Sequence, residues 1–104
     1  MRIDIKSREL DLTEPLKKYI DTRIGSLDKY LKRFDEGLVR AEVEVARSTQ
    51  HHRHGDVYYA EVNLTLPGKL LRATQEGGDV RECIDKVKDI LQREIDKYKD
   101  QLEN

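Results

Sequence analysis

The sequence has little of what cross-links, anchors or activates a protein. It contains one cysteine, two prolines and no tryptophan, and it has no long run of apolar residues. A single cysteine cannot form an internal disulfide. No segment approaches the ~20 apolar residues that span a bilayer or the apolar core of a secretory signal. These absences predict a soluble cytosolic protein that depends on an ordinary hydrophobic core.

Length and charge limit the fold further. The chain has 104 residues, which fits one domain, and we expect residues 1–104 to form it, with the last few frayed. Charged residues make up 39% and hydrophobic residues 37%, yet the net charge is only −1. Disordered chains of this polarity usually carry a high net charge and lack regular apolar spacing. The regular spacing seen here therefore predicts a folded domain.

Alternating polar and apolar residues predict four strands, each with one buried face. The alternating segments are residues 2–6, 39–45, 58–66 and 69–75. Pro67 and Gly68 predict a type II turn between the last two, because proline presets one backbone angle and glycine accepts the positive one. A polar segment between the second and third strands predicts a long hairpin loop.

Apolar residues spaced three and four apart predict two amphipathic helices. Thr13 has the character of an N-cap for the first helix, which we expect to continue to about Phe34 despite Gly25. Asp79 caps the second helix, and Glu82 completes a capping-box pattern. The predicted buried stripe of the second helix is Val80, Cys83, Ile84, Val87, Leu91, Ile95, Tyr98 and Leu102.

These elements follow one another in the order β-α-β-β-β-α. Each strand has one apolar face and each helix one apolar stripe, so two layers suffice to bury them. We expect an α+β fold in which two helices pack on one face of a four-stranded mixed sheet. The first two strands are then parallel, joined by a right-handed crossover, and the others are antiparallel hairpins.

Charges of like sign separate by side when each helix is projected at about 100° per residue. The grouped cations are Lys18, Lys29 and Arg33 on the first helix and Lys86, Arg93 and Lys97 on the second, whose opposite flank carries Arg81, Lys88 and Lys99. Such flanks suit an anion such as RNA, and we expect the cations of both helices to merge into one positive groove. Acid–base pairs four residues apart also stabilise merely solvated helices, so both interpretations stay open.

The hairpin loop is rich in histidine and arginine. His51, His52 and His54 are residue types that bind metals, but a closed site needs four ligands on a rigid scaffold. We therefore favour a polar loop without metal. Arg47 and Arg53 in the same region are candidates for an accessory contact with phosphate.

Other residues that carry chemistry favour structural roles. Cys83 lies in an apolar stripe with no base to activate it, and Tyr59 lacks the second ring of an RNA-binding sheet. Gly77 and Gly78 precede a helix but lack the lysine and hydroxyl residue of a phosphate loop. We find no catalytic motif, so we expect no enzyme activity, cofactor, metal or small-molecule substrate, and no membrane partner.

Several segments, in their order and spacing over the whole chain, resemble one protein family. They are MRIDIKSREL, LTEPLKKYI, RIGSLDKY, AEVNLTLPGKLLRA, EGGDVRECID and LQREIDKYKDQL. The family comprises the short ribosome hibernation promoting factors, also called ribosome-associated inhibitor A or sigma-modulation proteins. The resemblance implies a fold like a double-stranded-RNA-binding domain. It also implies binding to small-subunit rRNA in the mRNA and tRNA channel, where family members inhibit translation and protect idle ribosomes in stationary phase.

The resemblance also implies which residues contact rRNA. By position, the family's basic residues fall on Lys17, Arg23, Lys29, Arg93 and Lys97. Ser26 and Ile90 stand where relatives often carry lysine, and Arg81 stands where an aromatic residue is common; we expect Arg33 and Lys86 to compensate. The full predicted set is Lys17, Lys18, Arg23, Lys29, Arg33, Lys86, Arg93 and Lys97.

Two other functions stay open at this point. A protein-interaction module that modulates a sigma factor would bind its partner with little dependence on salt. A small-molecule sensor or enzyme would need a pocket with convergent polar groups, and no residue cluster suggests one. The C-terminal dimerisation domain of long family members has no counterpart in these residues, so we expect that any ribosome pairing needs another factor.

Overall fold

The computed structural model describes residues 1–48, 55 and 57–103, and it has the predicted order of elements. These elements are β1 (Arg2–Arg8), α1 (Glu14–Gly25), two 3₁₀ helices (Ser26–Tyr30 and Glu36–Leu38), β2 (Arg40–Ser48), β3 (Val57–Leu66), β4 (Lys69–Gly77) and α2 (Val80–Leu102). In the described part of the chain, no helix is both long and apolar enough to cross a membrane.

The four strands form one sheet in the order β1-β2-β3-β4. β1 is parallel to β2, with Ile3 beside Ala41, whereas β2–β3 and β3–β4 are antiparallel. The φ of +79° at Gly68 is the positive value that a type II turn requires. The mixed sheet confirms the predicted α+β fold class.

Both helices cover the same face of this sheet. In β2 the side chains of Ala41, Val43 and Val45 are buried, while those of Arg40 and Glu42, which alternate with them, point to the other, open face. The buried faces of the strands and the apolar stripes of the helices form a single core. Cys83 is part of it: the residue is 1% exposed, and burial raises the pKa of its thiol. This agrees with the predicted structural role.

The two α-helices begin at the predicted caps. The Thr13 hydroxyl accepts a hydrogen bond from the Leu16 amide, at 3.3 Å, and the Asp79 carboxylate accepts one from the Arg81 amide, at 2.9 Å. Each cap satisfies an amide that the first helical turn leaves unpaired. The local sequence therefore predicted the starts of both helices correctly.

The end of the first helix was predicted wrongly. The α-helix stops at Gly25 and the chain tightens into a 3₁₀ helix over Ser26–Tyr30, where we expected one helix to about Phe34. The Ser26 hydroxyl donates to the Arg23 carbonyl, at 2.6 Å, and serine side chains that bond nearby carbonyls compete with regular helix. The projection at about 100° per residue therefore does not apply beyond Gly25.

The buried stripe of α2 is one turn shorter than predicted. Leu91 and Ile95 are fully buried, but Leu102 is 51% exposed. The Tyr98 hydroxyl donates to the carbonyl of Pro67, at 3.0 Å, in the turn that closes this end of the sheet. Leu102 lies one helical turn further on, beyond this contact with the sheet.

Candidate nucleic-acid interface

The two helical segments lie side by side and run in the same direction. Near their starts Tyr19 donates a hydrogen bond to Asp85, at 2.8 Å, and further along Lys99 donates one to the Tyr30 carbonyl, at 3.0 Å. The later residue of the first segment contacts the later residue of the second, so the two segments are parallel. The channel between them, on the side away from the sheet, is here called the interhelix groove. It is lined by Tyr19, Arg23, Tyr30, Arg81, Asp85 and Lys99.

One end of the groove holds a cluster of two arginines around a tyrosine. The guanidinium carbons of Arg23 and Arg81 lie 5.2 and 5.4 Å from the centroid of the Tyr19 ring, within the range of cation–π contact. Arg23 Nε lies 3.3 Å from Asp85. Burial, together with the hydrogen bond to Asp85, raises the pKa of the Tyr19 phenol. The tyrosine therefore stays a neutral hydrogen-bond donor.

At the other end a tight turn presents two cations. The Phe34 amide bonds the Leu31 carbonyl, at 3.0 Å. Leu31 is buried, and Phe34 stacks on Tyr98 with ring centroids 6.1 Å apart. Because both ends of the turn are held by the core, Lys32 and Arg33 between them are directed outward and are exposed.

The turn and this end of the groove together form the basic cleft, a surface depression of about 280 Å³. Its lining residues are Lys29, Tyr30, Lys32, Arg33, Lys99 and Glu103. Four cations and one carboxylate thus line the cleft. The carboxylate lies 3.4 Å from Arg33, and Lys99 Nζ lies 3.9 Å from Asp96 outside the cleft, so among the described residues Lys29 and Lys32 carry the unpaired charge. Lys29 stays beside the Tyr30 ring, 5.2 Å from its centroid. An excess of closely spaced lysine and arginine attracts phosphate and releases its counterions, so the cleft is suited to an RNA backbone.

The cations on the outer flank of α2 form a separate surface. Arg93 and Lys97 lie about 80–120° around the helix axis from Asp85, which faces α1. Within the described residues neither makes an ion pair, whereas Lys86 lies 3.7 Å from Glu82. Acidic residues project between this flank and the interhelix groove: Glu82, Asp89, Asp96 and Asp100. The expectation of one continuous groove is therefore wrong, because only the opposite flank of α2 faces α1.

The predicted residues are distributed over four places. Lys29 and Arg33 meet in the basic cleft, and Arg23 lies further along the groove. Lys17 and Lys18 instead line a surface depression on α1 together with Glu14 and Asp21, so their charge is locally balanced. The outer flank of α2 holds the remaining three: Lys86, Arg93 and Lys97.

Two cations of the basic cleft, Lys32 and Lys99, were missed. Lys32 follows the 3₁₀ helix, where the α-helical projection fails. Lys99 belongs to the flank of α2 opposite the one that we favoured, and the sequence did not say which flank faces α1. The one indication in the sequence was that Lys99 projects to the same side of α2 as Arg81 and Lys88.

The open face of the sheet carries charges that are paired with one another. Glu61, whose side chain is 17% exposed, accepts hydrogen bonds from Tyr59 and Arg72, each at 2.7 Å. The hydrogen bond from Tyr59 is the largest influence that lowers the pKa of Glu61, followed by Arg72. Tyr59 is thus held by a carboxylate, and this face is a poorer anion surface than the helical one.

Of the two residues predicted to make accessory contacts with phosphate, the structure describes only Arg47. Arg47 lines a cleft of about 730 Å³ on the open side of the sheet, together with Glu44 and Glu76. Arg53 and the three loop histidines lie outside the described residues. Among the residues that are described, no cluster of histidine, cysteine or carboxylate side chains could hold a metal ion.

Comparison with known proteins identifies relatives over nearly the whole chain. Residues 3–103 match the model of the family described as Sigma 54 modulation protein / S30EA ribosomal protein. The chain is 28% identical over 95 residues to the ribosome hibernation promotion factor of Deinococcus radiodurans, covering 91% of this chain and 47% of that protein. It is 26% identical over 102 residues to the ribosome hibernation promoting factor of Escherichia coli, covering 98% and 97%. It thus spans about half the length of the first relative and nearly all of the second.

A solved structure shares the fold. The crystal structure of the Thermus thermophilus Protein Y N-terminal domain matches with a TM-score of 0.76 at 24% identity, covering 94% of this chain and 99% of that one. At this level of identity the match shows the arrangement of sheet and helices alone.

Proposed function

The chain belongs to the Sigma 54 modulation protein / S30EA ribosomal protein family, and we propose that it is a ribosome-associated translation inhibitor. It binds the rRNA of the small ribosomal subunit in the mRNA and tRNA channel and inactivates or protects idle ribosomes. It acts in the cytoplasm by occupying this channel, without catalysing a reaction. The names of its relatives support the ribosomal role, and the match over residues 3–103 supports a single ribosome-binding domain.

The basic cleft is the observation that carries RNA binding. Four cations around one carboxylate provide a local positive charge on a chain whose net charge is −1. Phosphate contacts of this kind give affinity without reading sequence, and folded RNA is recognised largely through its shape and backbone. The 3₁₀ helix, the turn after it and the end of α2 together present these cations on one surface. The outer flank of α2 supplies a second set of contacts through Arg93 and Lys97.

Sedimentation with purified subunits tests the proposal. At low salt the protein should co-sediment with small ribosomal subunits and not with large ones, and it should inhibit translation of a reporter mRNA in a reconstituted system. Subunits loaded beforehand with mRNA and tRNA should bind less of it. Absence of co-sedimentation would overturn the proposal, and binding unaffected by mRNA and tRNA would overturn its placement in the channel.

The family description also mentions modulation of a sigma factor. A domain with that function would bind a protein partner with an affinity that changes little between low and moderate salt. It would keep this affinity when the cations of the basic cleft are neutralised. Repeating the binding measurement at low and at moderate salt therefore separates the two functions.

A further inference from the structure

We propose that Tyr19, Arg23 and Arg81 form a binding site for one phosphate of RNA, and that the Asp85 carboxylate occupies this site in the free protein. The inference rests on the proposed binding of RNA and assigns one contact within it. The site lies in the interhelix groove, near the start of α2 and away from the basic cleft. Arg81 was not among the residues predicted to contact rRNA.

The cluster has more positive charge than its own carboxylate can balance. Both guanidinium groups lie beside the same ring, at 5.2 and 5.4 Å from its centroid. Arg23 is paired with Asp85, whereas the Arg81 guanidinium makes no ion pair with any described residue. One cation is therefore left over, next to a phenol that donates to Asp85 at 2.8 and 2.9 Å.

The Asp85 carboxylate holds the position that a phosphate oxygen would take. It accepts a hydrogen bond from the Tyr19 hydroxyl and lies 3.3 Å from Arg23, and phosphate oxygens accept from the same kinds of donor, at shorter distances from arginine. The side chains of Arg23 and Asp85 are 50% and 42% exposed, so the pair can separate without opening the core. Exposed ion pairs are weak. A phosphate can therefore replace the carboxylate on Arg23 and contact Arg81 as well.

The exchange makes Asp85 a residue that limits affinity for RNA. In the free protein it withholds Arg23 from phosphate, and after exchange its own charge lies near the bound backbone. Removing that charge while keeping the shape should strengthen binding. Asparagine does this, because its side-chain oxygen still accepts the hydrogen bond from Tyr19.

The test compares Asp85→Asn with Asp4→Asn in binding to small ribosomal subunits over a salt series. Asp4 is a matched control: it lies on the open face of the sheet, is 47% exposed and pairs with Arg2 at 3.2 Å. Asp85→Asn should bind about two- to fivefold more tightly than the unmodified protein. The slope of log affinity against log salt should stay the same, because the same phosphate contacts Arg23 in both complexes. Asp4→Asn, with the same change in net charge, should not bind more tightly.

Two further variants make the result decisive. In an Arg23→Gln background the gain from Asp85→Asn should be smaller, because the carboxylate can no longer compete with phosphate for that arginine. Arg81→Gln should weaken binding and reduce the salt slope by about 0.7–0.9, and it decides the matter should Asp85→Asn not fold. If the unmodified protein binds subunits but Asp85→Asn binds no better than Asp4→Asn, this inference is overturned and the proposed function stands. If the unmodified protein does not bind subunits, the proposed function itself fails.

Discussion

Replacing Lys29 and Lys32 with glutamine should remove two phosphate contacts from the basic cleft while leaving the core intact. Both side chains are exposed, and within the described residues neither forms an ion pair. Lys29 contacts the Tyr30 ring, a contact that a glutamine stem partly preserves. The variant should therefore fold normally and bind small ribosomal subunits less tightly.

The magnitude follows from counterion release. Each phosphate contact contributes about 0.7–0.9 to the slope of log affinity against log salt. Losing two contacts should lower the slope by about 1.4–1.8. Over a fourfold rise in salt, the affinity of the variant should fall about tenfold less than that of the unmodified protein.

The assay is a binding titration with small ribosomal subunits at four or more salt concentrations. Lys6→Gln with Arg40→Gln serves as the matched control, because both cations line one cleft on the open face of the sheet and the change in net charge is the same. The control should keep the slope of the unmodified protein. If both double variants lowered the slope equally, net charge and not the basic cleft would govern binding. If neither lowered it, the basic cleft would not contact phosphate.

Three other predictions follow from charge and packing. Arg93→Glu with Lys97→Glu should reduce co-sedimentation with small subunits without lowering the melting temperature; unchanged sedimentation would exclude the outer flank of α2. Leu91→Ala should lower the free energy of unfolding by about 2–5 kcal/mol, whereas Leu102→Ala, at an exposed site, should change it by less than about 0.5 kcal/mol; comparable losses in urea denaturation would contradict the observed end of the core. Because the folded-state pKa of Glu61 is lowered, its contribution to stability is present above the ordinary glutamate pKa of about 4.3 and is lost as pH falls below it towards the lowered value. Glu61→Gln should therefore lose less stability than the unmodified protein between pH 5 and pH 3, measured by urea denaturation, and equal losses would refute this.

The fold was predictable because its signals are local. Alternation at β2 and β3 identified strands with one buried face, and Thr13 and Asp79 marked the starts of the helices. Each of these patterns depends on a few neighbouring residues and on the geometry of a single element. The end of α1 was not predictable in this way: Gly25 and Ser26 are tolerated in many helices, and the 3₁₀ segment that follows also buries Leu27.

The candidate site was predictable only in part, because it depends on how elements meet. Lys29 and Arg33 were identified and do lie together, although the reason is a turn anchored by the core and not a shared helical flank. Lys99 was assigned to the less favoured side of α2. Helical projection gives the angle between two side chains of one helix but says nothing of what that helix packs against.

The amino-acid sequence by itself determined the order of the elements, their buried faces and the type of residue available to bind phosphate. Periodicity suffices for this because burial acts on each strand and helix separately. Only the tertiary structure decided which cations share a surface and which are balanced by a carboxylate. Charge interactions depend on distances between side chains far apart in the chain, such as Arg23 and Asp85, and those distances exist only once α1 and α2 lie together on the sheet.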